Sequence, residues 1–593
     1  MRPTILRILA IIATGLMVAA LVPPFSYGTL AWICMVPLLI ALWSLKGKHR
    51  AKKGFLIGYL AGAISFGIQV SWLETVSWLG PIVLASYLAL YFGAFGAFAA
   101  TLGNPWHRKS DVAETPFRSL FTAFTHATVW AGLEVARGWV ITGFSWNGLG
   151  VAFHDTLVIS QAADILGVAG LSLMLVFFQS VLVQVGHRMM KTGADGIRRP
   201  RWDFAVTALM VGVLLAYGIL RIAGESGKES IPLKALLVQI NIPHDGSTVL
   251  WPAEKVHMAY EEETLNALKT HSESDEKKLQ EAIGKNEEGS IELSSPDWIL
   301  WPETALTGRI VRSADGQSGA WRENIDTISR VREGGGNFDL IYGAVEIEGE
   351  TREGELFQKE DPRIYNSIVV ETPEGDLQTF RKHHLVIFGE TIPLLDTFPF
   401  LQQIYEQQAG QKYYGSFAVG PSLEPLPMKL KGKEIGIIPA VCFEDTVPRL
   451  TRKFIRDGPQ IIVNLTNDGW FKTSPAAAQH FANARFRAIE FRRPMLRCAN
   501  TGVSAAIDTI GSTANPNTGK HQEILDENGN SFLRSSLLTE VKIPLNPSFS
   551  LYAMIGDWGI IFLSVAGIST AILFRDKTGR TYSKPSVPEP RRG

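Results

Sequence analysis

Ile435-Gly436-Ile437-Ile438-Pro439-Ala440-Val441-Cys442-Phe443-Glu444-Asp445 is an apolar run that ends on a cysteine and then turns acidic. The run has strand length and no polar member, the pattern of a strand covered on both faces. A cysteine inside such a strand is most often a small buried hydrophobe. At the strand's end a loop or a helix N-terminus can expose and activate it. On either side of this stretch the chain repeats the theme. Lys234–Ile240, Trp298–Trp301, Phe338–Val345, Asn366–Val370 and Gln460–Leu465 are further strand-length runs rich in Val, Ile and Leu, and helical patterns fall at 253–270, 320–333 and 476–492. Strands and helices in alternation predict an α/β domain over 231–550. Thr270–Pro296 is charged and polar, and reads as a surface insertion, partly helical, without catalytic content.

Two more segments carry groups with chemistry. Trp298-Ile-Leu-Trp-Pro-Glu303-Thr304 places a carboxylate just beyond a buried strand. That is the edge where α/β proteins build sites, although a glutamate in such a loop is usually only solvated. Arg381-Lys382-His383-His384-Leu385-Val386-Ile387-Phe388-Gly389-Glu390 sets a lysine beside two histidines. It reads as a solvated turn or as part of a site. No Asp or Cys ligand pattern accompanies the histidines, so no metal is expected, and no cofactor.

The chain has 593 residues, too many for one core, with 57 Lys+Arg against 57 Asp+Glu. Zero net charge gives no reason to expect a nucleic-acid partner. Cys34, Cys442 and Cys498 have no paired spacing, which leaves room for one reactive thiol and no disulfide framework.

Residues 1–230 are dominated by long apolar runs. Candidate membrane spans fall at 5–22, 26–45, 54–75, 80–102, 119–139, 160–186 and 203–222, with one more at 552–574. The first runs into Pro23-Pro24 without a small-residue cleavage site and is read as a span. Lys46, Lys48, Arg50, Lys52 and Lys53 follow the second span, Arg108, Lys109 and Arg118 the fourth, and Arg188, Lys191, Arg198, Arg199 and Arg201 the sixth. Arg575, Lys577, Arg580 and Lys584 follow the last, whereas loops 23–25, 76–79 and 140–159 hold no Lys or Arg. Basic residues mark the cytoplasmic side. Both termini are therefore expected in the cytoplasm and 231–550 on the outer face. Glu134 and Arg137, spaced i, i+3, can pair on one helix face or reach the interface, and Gly143-Phe144-Ser145-Trp146-Asn147-Gly148 fits a loop at headgroup level. The expected organisation is a multi-span α-helical membrane domain (1–230, about seven helices), an extracytoplasmic α/β domain (231–550), a C-terminal transmembrane helix (551–575) and a cytoplasmic tail (576–593).

Glu, Lys and Cys in that order, each after a strand, resemble the nitrilase, or carbon–nitrogen hydrolase, superfamily. Asn464-Leu-Thr-Asn467-Asp468-Gly-Trp470-Phe471 and the helix Gln479-His480…Arg485…Arg487-Ala-Ile-Glu490…Arg493-Pro494 add to the match. With spans in front and one behind, residues 1 to about 575 resemble the apolipoprotein N-acyltransferase family. The resemblance implies a nitrilase-like αββα sandwich with Glu303, Lys382 and Cys442 as the catalytic set. It puts Glu390 on the family's Leu-Val-Pro-Phe-Gly-Glu glutamate, Glu444 on the acid after the nucleophile, and Trp251 on a tryptophan lining the substrate entrance. Phe443, Asn467 and Trp470 are expected as supporting or substrate-binding residues. Ile387 replaces a usual proline, and Phe443 a common tyrosine, so no phenol hydroxyl is available there.

The implied reaction is a two-step acyl transfer through a Cys442 thioester. A phospholipid is the implied donor, a diacylglyceryl-modified apolipoprotein the acceptor, and the bacterial inner membrane the setting. Two other readings keep the same residues in view. A membrane-anchored amidase or nitrilase would share the triad but has no need of seven preceding spans. A transporter or receptor with a binding-only outer domain would not need Glu303, Lys382 and Cys442 together. Ile392–Phe400 is apolar for a surface stretch, and reads either as a lid dipping into the membrane or as core.

Overall fold

The computed structural model describes residues 3–107, 115–195, 201–245, 248–285, 295–392, 395, 397–409, 415–515 and 517–573. The basic residues Arg108, Lys109, Arg198 and Arg199, the tail from 574 onward, and parts of the 270–296 insertion and of the 392–400 stretch lie outside the described residues.

The N-terminal part is a helical bundle: α1 (Pro3–Ala19), α2 (Val36–Trp43), α3 (Arg50–Gln69), α4 (Gly80–Ala100), α5 (Pro116–Arg137), α6 (Ala163–Asp195) and α7 (Trp202–Glu225). Three stretches, Gly80–Ala100, Ala163–Lys191 and Trp202–Glu225, are long and apolar enough to cross a membrane, and Pro3–Ala19, Gly28–Trp43 and Trp558–Leu573 are shorter apolar helices. Close packing between α3 and α4 rests on glycine. A Cβ on Gly58 would come within 2.2 Å of Phe92 O, and one on Gly96 within 2.2 Å of Gly54 O, the small-residue contact that lets membrane helices approach.

Two expected spans are broken. The run 26–45 forms a 3-10 turn, Gly28–Trp32, and then α2, which starts with a proline in its first turn. Pro37 has no N–H to continue a helix from before it. The run 552–574 begins as Leu551–Ile555, breaks at Gly556 with φ +56°, and resumes at Trp558.

The α/β domain is built on two large sheets, with a two-stranded ribbon, His244–Asp245 against Thr248–Val249, beside them. The first follows the order β5-β4-β3-β2-β1-β11, where β1 is Ser230–Gln239, β2 Trp298–Trp301, β3 Asp339–Arg352, β4 Ile364–Glu371, β5 Leu377–Arg381 and β11 Ser535–Pro544. The second is β6-β7-β8-β9-β10, comprising Leu426–Leu430, Lys433–Val441, Gln460–Thr466, Met495–Ala499 and Ala505–Ile507. Strand β1 runs parallel to β2, and β2 to β3; in the second sheet β7, β8 and β9 are parallel, so their carboxyl ends lie side by side.

Strand β2 shows why the sheets stack. Its side chains alternate between faces. Trp298 and Leu300 join Ile437, Ile461, Val463 and Leu496 between the sheets. Ile299 and Trp301 join Tyr260, Ile328 and Val331 beneath helices α8 (Ala253–Lys285) and α9 (Arg322–Gly335). On the far side, α10 (Ala476–Phe491) gives Phe481 and Ala488 to the inter-sheet core, and Ala482, Phe486 and Ile489 to the membrane bundle. The layers are α, β, β, α, with the last helix layer seated on the transmembrane helices. Helix α8 runs on through the described part of the charged insertion to Lys285. The chain then returns to the bundle through α11 (Trp558–Leu573), which packs along α5.

Candidate active site

The carboxyl ends of the buried strands bring the chemistry together. Cys442 follows β7 directly and has φ +53°. A 3-10 turn, Cys442–Thr446, carries the chain away, and Asn464 Nδ2 donates to the Cys442 carbonyl at 3.0 Å. A β-carbon at positive φ is crowded, and such geometry persists only where the surroundings impose it. Glu303 follows β2 across Pro302. Its loop lies so close to β3 that a Cβ on Gly343 would sit 2.5 Å from Glu303 Cα; only glycine fits. Lys382 follows β5, its N–H bonded to Asn366 O at 2.8 Å.

Glu303, Lys382, Glu390 and Asn366 meet in one buried cluster. Lys382 Nζ lies 2.8 Å from Glu390 Oε2 and 3.8 Å from Glu303 Oε1. Asn366 Nδ2 donates to Glu303 Oε1 at 2.8 Å and to Glu390 Oε1 at 2.9 Å. Cys442 is among the groups whose proximity acts on the Glu303 carboxyl. Burial pushes Glu303 up, against the pull of Lys382. Burial also pushes the Cys442 thiol well up, with Glu303 adding to it and Lys382 opposing. Although lysine favours a thiolate, burial and Glu303 outweigh it, so the resting sulfur is a protonated thiol. For Lys382, burial would lower the ammonium, but Glu390 and then Glu303 more than reverse this and hold it charged.

Glu390 also accepts the Val386 N–H at 2.9 Å, and the Val386 carbonyl accepts from Gly389 and Glu390. Glu390 thus holds the 386–390 turn from both sides, without a proline at 387. Glu444 accepts from the N–H groups of His383 at 2.8 Å, His384 at 2.7 Å and Val441 at 2.8 Å, tying the Cys442 turn to the Lys382 loop. Burial, opposed by Lys382 and these N–H donors, lifts Glu444 to about 7. His383 Nδ1 bonds Gly420 O at 2.9 Å. Among the described residues no group of three or more His, Cys, Asp or Glu side chains is arranged to hold a metal ion.

The membrane bundle supplies one wall. Phe443 stacks on Phe144 at 5.8 Å and on Trp146 at 6.1 Å between centroids, with His384 on it at 6.1 Å. The 143–148 loop therefore packs against the turn that carries Cys442. Gln479 on α10 gathers the bundle's outer loops. Its Oε1 accepts from Trp146 Nε1 at 2.8 Å, Asn147 Nδ2 at 3.1 Å and Trp72 Nε1 at 3.2 Å, and its Nε2 donates to Pro23 O at 2.9 Å. Glu134 and Arg137 hold the same loop: Glu134 accepts from Leu149 N at 2.9 Å, and Arg137 donates to Trp146 O at 2.9 Å.

The remaining expected residues lie farther along the rim. Asn467 caps the turn after β8 by accepting from Gly469 N at 3.0 Å, and its amide meets His244 Nε2 at 3.1 Å. Trp470 is half-exposed on that turn. Trp251 packs beside the core under α8, with Lys255 Nζ 4.0 Å above its ring. The sequence reading does not single out Asn366 or the loop-gathering role of Gln479. Each acts on partners distant in the chain, and no local spacing signals them.

A four-layer sandwich whose strand ends hold a cysteine, a glutamate and a lysine, joined to transmembrane helices, defines a membrane enzyme of the carbon–nitrogen hydrolase, or nitrilase, class. A family model described as carbon-nitrogen hydrolase matches residues 297–536, and one described as the apolipoprotein N-acyltransferase N-terminal domain matches 14–181. The apolipoprotein N-acyltransferase of Geobacter metallireducens is 28% identical over 511 residues, covering 84% of this chain and 85% of that one. That of Photobacterium profundum is 27% identical over 603 aligned positions, covering 97% and 96%. A solved carbon-nitrogen hydrolase from Helicobacter pylori covers 58% of this chain and 99% of its own, with 12% identity and a TM-score of 0.30. Over most of its length the chain is similar to the apolipoprotein N-acyltransferases.

Proposed function

We propose that the protein moves a fatty acyl chain from a membrane phospholipid, through a Cys442 thioester, to the α-amino group of the N-terminal diacylglyceryl-cysteine of apolipoproteins. The observation that carries this reading is the contact of Phe443, next to the nucleophile, with Phe144 of the membrane bundle at 5.8 Å. It puts Cys442 at the rim of the transmembrane helices, where a bilayer lipid presents its ester. An amidase acting on soluble substrates has no use for that placement.

In the first half-reaction Cys442 Sγ attacks the acyl carbonyl carbon while Glu303 takes the thiol proton. Because the resting thiol is protonated, removal of its proton belongs to the attack itself. The carbonyl oxygen becomes an oxyanion beside the Lys382 ammonium, whose charge is held by Glu390 and Glu303. Collapse breaks the carbon–oxygen ester bond, and Glu303 returns the proton to the departing lysophospholipid alcohol. In the second half-reaction Glu303, ionised again, takes a proton from the acceptor's α-ammonium, and the amine attacks the thioester carbon. Collapse breaks the carbon–sulfur bond and forms the amide, Glu303 returns its proton to the departing Cys442 sulfur, and the nitrogen's other surplus proton leaves to solvent. Glu444 and Glu390 hold the loops that set these distances, and the aromatic wall of Phe443, Phe144 and Trp146 excludes water from the thioester.

In this reading the catalytic domain faces the outer side of the bacterial inner membrane and both termini face the cytoplasm, as the alternation of basic loops supports. The deciding experiment supplies detergent-solubilised protein with phospholipid alone and follows intact mass. Acyl-Cys442 should accumulate and then disappear, with stoichiometric N-acylation, when a diacylglyceryl-peptide is added. Hydrolysis of amides without any acyl-enzyme formed from phospholipid would favour the amidase reading.

A further inference from the structure

Behind the nucleophile's turn lies a closed ring of four buried ionisable side chains. His480, on α10, has Nδ1 2.7 Å from Asp468 Oδ1 and Nε2 2.8 Å from Asp445 Oδ1. Arg497, on β9, closes the ring through the other oxygens: Nε lies 3.4 Å from Asp445 Oδ2 and NH2 3.2 Å from Asp468 Oδ2. Its NH1 donates to Val503 O at 2.7 Å. None of the four is more than 3% exposed.

The geometry dictates the charge on the imidazole. Both ring nitrogens face carboxylate oxygens, and only the imidazolium has two N–H donors; a neutral ring would turn a lone pair toward one acid. With the histidine charged, two acids balance two cations. With it neutral, one negative charge would lie uncompensated in a dry interior, which burial strongly disfavours. Burial opposes the charge, but Asp445 and Asp468 together outweigh it and lift His480 to about 9.

The ring borders the turn that carries Cys442. Asp445 is in the Cys442–Thr446 turn itself. Asp468 begins the turn after β8, and its negative charge acts on Cys442 in the direction that disfavours a thiolate. The thiol otherwise faces Glu303 from the loop after β2, and Lys382 and Glu390 from the loop after β5. Glu444 lies on its own turn. Trp146 of the membrane bundle covers the His480 ring at 5.4 Å.

We propose that His480 is a positioning residue whose fixed positive charge, together with Arg497, cancels Asp445 and Asp468, so that Cys442 loses its proton without the field of two carboxylates behind it. The proposal rests on Cys442 as the nucleophile. The ring acts on the sulfur through Asp445 and Asp468 and not on substrate.

The test is the pH dependence of Cys442 alkylation by iodoacetamide in the detergent-solubilised full chain, with peptide mapping to separate Cys442 from Cys34 and Cys498. No lipid takes part, so a failed acyl-transfer reading and a failed proposal are told apart. His480→Gln removes the cation and keeps a polar group, and should slow alkylation at fixed pH about tenfold by moving its midpoint to higher pH. The double variant His480→Gln/Asp468→Asn removes one charge of each sign and should recover to within about threefold of wild type. An unmoved midpoint in the single variant, or a double variant as slow as the single, overturns the proposal. Should the single variant not accumulate as folded protein, the double variant decides alone: a wild-type midpoint supports the proposal and a raised one overturns it.

Discussion

The side-chain amide of Asn366 donates to Glu303 Oε1 across 2.8 Å. The second hydrogen of the same nitrogen goes to Glu390, so one neutral group orients two acids around one lysine. Hydrogen bonds to charged groups are worth about 1.5–3 kcal/mol. Asn366→Ala should therefore slow acyl-Cys442 formation by roughly ten- to a hundredfold. Asn366→Asp, which puts a third carboxylate in the cluster, should be slower still. Intact-mass kinetics with phospholipid measure both, and an alanine variant at the wild-type rate would show that Glu303 needs no such partner.

The proposed catalytic set can be split by half-reaction. Lys382→Ala should form the thioester far more slowly while still binding phospholipid, since it loses an oxyanion partner worth about 3–4 kcal/mol in comparable sites. Glu303→Gln should impair both halves, because each moves a proton. A Glu303→Gln protein that acylates normally and stalls only at transfer to the amine would hand the thiol's proton to another group, with Glu390 or Glu444 next in reach.

Much of this site is legible along the chain because burial and strand ends leave local marks. Trp298–Trp301 has no polar residue, which announces a strand covered on both faces, and the acid just past it then has to sit at a sheet edge. The same logic puts Cys442 at the end of an apolar run. Asn366 escapes that logic. It looks like any polar residue in a strand, and its partners lie 63 and 24 residues away. Gln479 is hidden in the same manner, bonded across 333 and 407 residues to the bundle's tryptophans. Hydropathy marks 26–45 as one span because it registers apolarity alone. It does not register that Pro37 must begin a helix and cannot continue one.

Cys498 gives a control for the choice of nucleophile. Its thiol lies against the carbonyls of Val238 at 3.5 Å and Leu300 at 3.3 Å, between the sheets, and burial pushes it up to about 12. Such a thiol packs and does not react. Cys498→Ala should keep most activity, whereas Cys442→Ala should give no acyl-enzyme at all. The reverse result in mass spectrometry would transfer the nucleophile's role to Cys498.

Topology is open to direct measurement. Cysteine-accessibility or fusion reporters at 46–53, 104–117 and 187–202 should report the cytoplasm, and a reporter within 231–550 the outer face. A cytoplasmic signal from the large domain would remove the acceptor from reach and overturn the proposed reaction.

Stability should fall with rising pH in two separate windows, for two separate reasons. Burial raises Glu444 from 4.5 to about 7 and Glu490 likewise to about 7. A group raised in the folded state holds its proton more tightly there than in the unfolded chain. Its stabilisation is complete below the unfolded value and is lost as pH climbs through the folded one. These two acids therefore act between 4.5 and about 7. His480 follows the same sign, from 6.5 to about 9, with burial opposing and its two aspartates prevailing. Its shift corresponds to on the order of 3 kcal/mol, lost above neutrality. Thermal unfolding of the solubilised protein should show the wild type losing stability between pH 7 and about 9, a loss that His480→Gln lacks while keeping the one below pH 7. Should wild type and variant lose stability equally above pH 7, the imidazolium is not what holds the ring together, and the balance of Asp445, Asp468 and Arg497 must be kept by some other proton.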